Sequence, residues 1–267
     1  MTVRVGMTLP SFVDDPEVPI GVARAAEAAG LDAVFVFDHL WRGDPPNRRP
    51  ALECFALLGA VAAETARIHV GTLVARATLR PAATLANCFL TVQRVSNGRL
   101  IAGIGAGDSE SRRENEAFGL EFGTMIDRIG ALHNSARAAR GNGYPVWIGG
   151  HAAQVRELVP VADGWNRWGG TPERFAKEAA LVREVAPTAT ITWGGLVLTG
   201  EDDAAAEAKA ATRSIPEDAL VGGPARIAER IGAFVERGAD WVILGPLDAT
   251  NPENASTFGE VRRLLNA

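Results

Sequence analysis

Three side chains with chemical potential stand together where an apolar run stops. In VFVFDHLWRG, Val34 to Gly43, four apolar residues lead straight into Asp38, His39 and Trp41. Imidazole titrates near neutral pH, so His39 is the natural proton donor or acceptor, and a carboxylate such as Asp38 can fix its tautomer. An indole in the following loop supplies an aromatic wall for a ligand. A histidine at such a position also serves often as a hydrogen-bonded structural residue; Trp41 favours the ligand reading. The other histidines are less suited: His69 lies within RIHVG, His133 in a helical stretch, and His151 behind a glycine turn.

Two glycine-rich turns add possible binding groups. GIGAGDSES places Gly105, Ala106, Gly107 and Asp108 after an apolar run, followed by Ser109 and Glu110. Small residues at 103, 105 and 107 leave room for a flat ring against the backbone, with Asp108 as an acid at its rim. Asp108 would equally cap the next helix, with Glu110 in its first turn. In WIGGHAAQVRELV, backbone N–H groups from Gly149 to Ala152 suit a phosphate, with His151 in reach. A tight turn that needs glycine only for its backbone angles fits that stretch as well. Gly222, Gly223 and Pro224 read as a helix start. Thr72, Leu73 and Val74 end one further run, and Trp165 and Asn166 another. Arg42, Arg48 and Arg49 are surface charges with the capacity to draw in an anion. No two histidines stand at metal-ligand spacing, no G-x-S-x-G elbow occurs, and no strand end carries the lysine of an aldolase.

The elements that must position these groups are parallel strands. Short β-branched runs alternate with alanine-rich helical stretches throughout, which is the signature of βαβ construction. The runs RVGMTL, AVFVF, IHVGTLV, RLIAGIG, PVWIGG, GWNRWGG, ATITWGGLVL and WVILGPL number eight, enough to close a (β/α)8 barrel in one domain over residues 1–267. In such a barrel the strand ends named above gather at one mouth. VARAAEAAGLDAVFVF and IGAFVERGADWVILGP share one plan: a helix, a capping glycine (Gly30, Gly238), an aspartate (Asp32, Asp240) and a strand. A helix with Met125, Ile129 and Leu132 on its apolar side stops at Gly141 and Gly143. A doubly wound sheet would alternate similarly, but MTLPSFVDDP lacks its glycine fingerprint.

Composition narrows the function further. With 27 basic and 32 acidic residues and a formal charge of −5, the chain offers no basic face to a nucleic acid. Cys54 and Cys88 lie in apolar helical patterns that suit reduced, buried thiols. No run approaches the roughly 18 apolar residues of a membrane span, and MTVRVGMTLP lacks the pattern of a signal peptide. The expectation is a soluble cytoplasmic enzyme with a small-molecule substrate, no nucleic-acid or membrane partner and no metal.

Taken in order, the pieces AAGLDAVFVFDHL, ETARIHVGTLV, RPAATLANCFLTVQRVSNGRLIAGIGAG, ENEAFG, PVWIGGHAAQVRELVPVADGW and GPARIAERIGAFVERGADWVIL span nearly the whole chain. In this order they resemble the bacterial luciferase-like superfamily of flavin- and deazaflavin-dependent oxidoreductases. The resemblance implies a (β/α)8 barrel that binds the deazaflavin coenzyme F420, or alternatively FMN, at its C-terminal mouth. It places Asp38 and His39 beside the ring, with Trp41 as the aromatic neighbour. It implies a non-prolyl cis peptide at Leu73 and Val74, and the cofactor phosphate on Gly149, Gly150 and His151. His39 would then exchange a proton during hydride transfer, oriented by Asp38. Trp165 is expected near the ring. Two departures stand out: Asp108 replaces a longer glutamate, and only RGNGYP precedes PVWIGG, where many members insert an extra strand pair. The second implies a more open mouth. An FMN-dependent monooxygenase and a non-catalytic flavin-binding protein are the alternatives, and a homodimer is the family expectation.

Overall fold

The computed structural model describes residues 2–43, 48–108 and 111–267. Eight parallel strands close into a ring: β1 (Arg4–Thr8), β2 (Ala33–Val36), β3 (His69–Arg76), β4 (Leu100–Gly105), β5 (Val146–Gly149), β6 (Gly164–Trp168), β7 (Thr190–Thr199) and β8 (Trp241–Pro246). Each run read from the sequence forms one of them. Two short features were not anticipated. Trp41–Arg42 and Arg49–Pro50 form an antiparallel ribbon beyond β2, and Leu220–Gly222 pairs with the end of β7.

Strand parity sorts the side chains into two layers. In β2, Ala33 and Phe35 point into the barrel with Leu73, Ile101, Trp147, Trp241 and Ile243, whereas Val34 and Val36 join the larger core under the helices. Gly30 and Gly238 take the left-handed conformation expected of helix caps, with φ of 77° and 93°. Pro224 opens a helix behind Gly223, as expected. The helix Met125–Ala139 turns Ile129 and Leu132 to the core as expected and departs from expectation at Met125. Its buried side is Leu132, Ser135, Ala136 and Ala139, while Met125 lies exposed at the first turn beside the Thr124–Asp127 capping box.

The start of each strand pair is clasped. Asp32 accepts the N–H of Val5 at 2.8 Å and donates its own N–H back to Val5 O, and Asp240 does the same with Ile191. Asp163 repeats the arrangement on Val146. Thus β1 is fastened to β2, β5 to β6 and β7 to β8. Between β3 and β4 the place is taken by Arg99. Its buried guanidinium donates to the carbonyls of Ala62, Thr65, Ile68 and Ser96 and to the Thr65 hydroxyl.

Glu27 fastens the lead-in to β3 by accepting three backbone N–H groups, from Ala66, Arg67 and Ile68. Burial pushes its carboxyl upward, but these hydrogen bonds outweigh that and hold it below its ordinary value of 4.5. A depressed folded value stabilises above 4.5 and loses that contribution as the pH falls through it. Glu27→Gln is therefore expected to cost about 1 kcal/mol at neutral pH, a figure kept small because the carboxylate is half-exposed. The gap from the parent should close on acidification. Urea melts at pH 7 and pH 3 test this, and a gap independent of pH would contradict it.

Candidate active site

The ends of β3 and β4 set the floor of the mouth. The peptide between Leu73 and Val74 is cis, and the pairing of β3 with β4 slips between Thr72 and Ala75. Neighbouring glycines accommodate this bulge. A Cβ at Gly103 would collide with the Thr72 carbonyl, one at Gly105 with Val74, and one at Gly149 would lie 2.7 Å from Val74 Cγ1. The space these glycines leave is thus filled by β3 itself, which corrects the expectation that residues 103 and 105 keep it free for a ring. Thr72 is buried, its hydroxyl donating to Gly103 O at 2.6 Å. Leu73 turns into the barrel core, and Val74 caps that core half-buried.

His39 and Glu114 form the central pair. His39 Nδ1 lies 2.7 Å from Glu114 Oε1. The other carboxylate oxygen, Oε2, accepts the Leu40 N–H at 2.7 Å and Arg76 Nη2 at 3.1 Å. A carboxylate can only accept, so Nδ1 carries the hydrogen and Nε2 is the basic nitrogen. Burial works to raise the Glu114 carboxyl, but the hydrogen bonds from His39 and Leu40 and the neighbouring cations outweigh it, and the group is held ionised below the usual range. Glu114 comes from the short helix Ser111–Ala117 and is the first residue of the ENEAFG stretch.

The role expected of Asp38 is corrected by this pairing. Its carboxylate is buried and faces away from the imidazole, accepting the Arg76 N–H at 2.9 Å and a two-pronged Arg80 at 2.7 and 3.2 Å. Arg80 also reaches Glu53 at 2.5 Å, and Arg76 Nε donates to the Asp38 carbonyl at 2.7 Å. Asp38 therefore fixes the backbone on which His39 stands, through β3, while Glu114 orients the ring. Arg76, Arg80 and Glu114 were not singled out in the sequence.

Asp108 is tied to the start of the helix Ser111–Ala117: its Oδ1 accepts both the N–H and the hydroxyl of Ser111 at 2.9 Å. Burial raises its carboxyl, the Ser111 bonds and the charges of His39 and Arg76 lower it, and the balance lies below the usual range. Ala106 and Gly107, the latter at φ 75°, carry the chain to Asp108 half-buried. Ser109 and Glu110 lie outside the described residues.

At the second glycine turn, the Ala152 N–H is already bonded to Glu178 Oε2 at 2.9 Å, and the Gly150 N–H to the Asn166 carbonyl at 3.2 Å. Glu178 also meets Arg174 Nε at 3.0 Å and Arg167 Nε at 3.3 Å, and half-exposed His151 lies 3.6 Å from it. A protein carboxylate occupies the Ala152 amide, where the sequence suggested a phosphate. Gly149 closes β5 beneath the Val74 bulge.

Trp165 requires a further correction. It is fully buried, donates to Gly150 O at 2.9 Å and stacks on Phe175 of the outer helix layer, away from the mouth. Trp168, three residues later and so on the opposite face of β6, takes the expected place. It stands edge-on to Phe37 and over Gly194 and Gly245, where a Cβ would meet its ring.

A cavity of about 750 Å³ opens between these groups. His39 and Trp41 line it with Phe12, Phe37, Trp168 and Leu247, and Thr8, Ser11, Arg42, Arg113 and Glu114 supply its polar wall. Trp41 is braced by Phe118, 5.5 Å away, and by the Arg48 guanidinium 4.0 Å above its ring. The remaining expected residues, from Thr72 to Ala152, lie outside this wall.

A family model described as luciferase-like monooxygenase matches residues 3–131. The F420-dependent glucose-6-phosphate dehydrogenase of Amycolatopsis mediterranei is 34% identical over 140 residues, which are 51% of this chain and 40% of that protein. The chain therefore spans less than half the length of this curated relative. Among solved structures, an F420-dependent secondary alcohol dehydrogenase superposes with a TM-score of 0.84 over all of both chains at 16% identity. The coenzyme F420 dependent tetrahydromethanopterin reductase from Methanopyrus kandleri gives 0.75 at 16% identity, covering 97% of this chain and 98% of its own. The matched N-terminal segment agrees with the order of strand ends described above: the chain is similar to the luciferase-like monooxygenase family over residues 3–131 and shares its barrel fold with these F420-dependent enzymes.

Proposed function

We propose that this protein is an oxidoreductase that uses coenzyme F420 to move a hydride to or from a small organic substrate in the mouth cavity. The observation that carries this reading is His39, held at the cavity wall by Glu114 through Nδ1, with Nε2 unpartnered among the described residues. The names of the relatives support the choice of a deazaflavin.

The mouth suits the ring part of such a group. It has the volume of an ordinary ligand site, aromatic walls at Phe37 and Trp168, and a titratable imidazole. The phosphate part would meet a different surface, because Glu178 holds the Ala152 amide; half-exposed His151 on that turn and Arg174 on the helix facing it are the groups that could hold it. When bound, the deazaflavin would supply hydride acceptance and donation. The chain itself handles the proton. As a substrate alcohol is oxidised, the hydroxyl proton passes to Nε2; in the reverse direction Nε2 returns it to the carbonyl oxygen. Glu114 stabilises the imidazolium formed in between, and Arg76 with the Leu40 amide keeps Glu114 in place.

Titration of the purified protein with F420 and with FMN, followed by tryptophan fluorescence, tests the cofactor. Trp41 and Trp168 both border the cavity and should be quenched. Saturable quenching by F420 in preference to FMN supports the proposal. A preference for FMN would move the protein to the monooxygenase branch, and binding of neither would overturn both. Glu114→Gln is expected to lower turnover roughly tenfold while leaving F420 affinity within about twofold, since the carboxylate acts through His39. An unchanged kcat would remove Glu114 from the mechanism.

A further inference from the structure

Aromatic side chains form much of the cavity wall, and its charged groups are unequally engaged. Its titratable lining residues are His39, Arg42, Arg113 and Glu114. Both oxygens of Glu114 are engaged by His39, Leu40 and Arg76, and no other acid lines the space among the described residues. The neutral polar side chains are Thr8 and Ser11, and the Ser11 hydroxyl is shut away without a partner. Everything else that lines the cavity is aromatic, aliphatic, proline or glycine.

Arg42 is placed to answer an anion. It lies exposed on the ribbon, its guanidinium 5.6 Å over the Phe12 ring, and it makes no ion pair or side-chain hydrogen bond among the described residues. Pairing with Arg49 and the bracing of Trp41 fix its backbone at the cavity edge. A planar guanidinium can meet a carboxylate through two parallel N–H groups, and an aromatic wall takes up the apolar body behind it.

We propose that the substrate is a small acid with an apolar body, its carboxylate held by Arg42 and its body packed against Phe12, Trp41 and Trp168. This assignment rests on the reading of the mouth as the reaction site.

The test uses cyclohexanecarboxylate and its neutral isostere cyclohexanecarboxamide, neither of which absorbs with indole. Each is titrated into cofactor-free protein while tryptophan fluorescence is followed. The parent should bind the acid at least tenfold more tightly than the amide, with the preference shrinking as salt is raised. Arg42→Gln should abolish the preference while keeping amide binding, F420 affinity and melting temperature. Equal affinity for acid and amide, a preference that survives in Arg42→Gln, or no binding of either probe would each overturn the proposal. So would loss of F420 affinity in Arg42→Gln, which would assign this arginine to the cofactor. If the parent fails to bind F420 and yet shows the Arg42-dependent preference, the cofactor reading falls and the acid site stands.

Discussion

His39→Ala is expected to lower turnover roughly 10²- to 10⁴-fold, the range supplied by a positioned acid–base group, while F420 affinity stays within about twofold. The side chain is well placed for a clean experiment. It is 29% exposed and rests lightly between Phe12 and Phe37, with ring centroids 5.9 and 6.4 Å away. Its removal leaves Glu114 with the Leu40 amide and Arg76, so no buried charge loses all its partners. The melting temperature should accordingly change little. Steady-state kinetics with titration of the cofactor separates the cases. Undiminished turnover would refute the role of His39, and joint loss of binding and turnover would make it a cofactor contact instead.

Arg99→Met should have the largest effect on stability, a loss of roughly 3–5 kcal/mol. Methionine matches much of the stem but donates nothing. The carbonyls of Ala62, Thr65, Ile68 and Ser96 would all lose the guanidinium at once, in a place closed to water. Two of them, Ala62 and Thr65, end the helix Cys54–Glu64, where a cation also complements the helix dipole. Arg99→Lys should recover part of the loss, because one ammonium cannot reach all five acceptors. Chemical denaturation of the three proteins measures this. A loss below about 1 kcal/mol in Arg99→Met would show that the carbonyls find other donors.

The sequence made the strands plain because apolar periodicity is a local property. All eight barrel strands were read within a residue or two of their bounds, and Gly30 and Gly238 could be recognised as caps from their position after a helix. The mouth was only partly legible. His39 and Trp41 follow a strand directly and were found, but Glu114 reaches His39 across 75 positions of sequence, and nothing in ENEAFG alone shows which acid turns inward. The adjacency of Asp38 and His39 misled for a related reason. Neighbours along an extended chain point to opposite sides, so Asp38 meets Arg80 while His39 meets Glu114. Trp165 and Trp168 carried the same lesson in readable form. Asn166 faces Thr192 within the barrel, so parity alone directs Trp168 inward and Trp165 outward.

The aspartate clasps and the Arg99 junction all sit at the rim opposite the cavity. A slip of one residue between strands would turn every side chain over, carrying His39 and Trp168 out of the mouth. That hazard is settled where no substrate comes, by groups that take no part in the chemistry. The loops at the other rim are then free to vary in length, as the ribbon of Trp41–Arg42 and Arg49–Pro50 beyond β2 illustrates. A scaffold divided in this way can exchange its specificity loops while its folding instructions stay intact, and redesign of this protein for another substrate should begin at the ribbon of Trp41 and leave the clasped rim untouched.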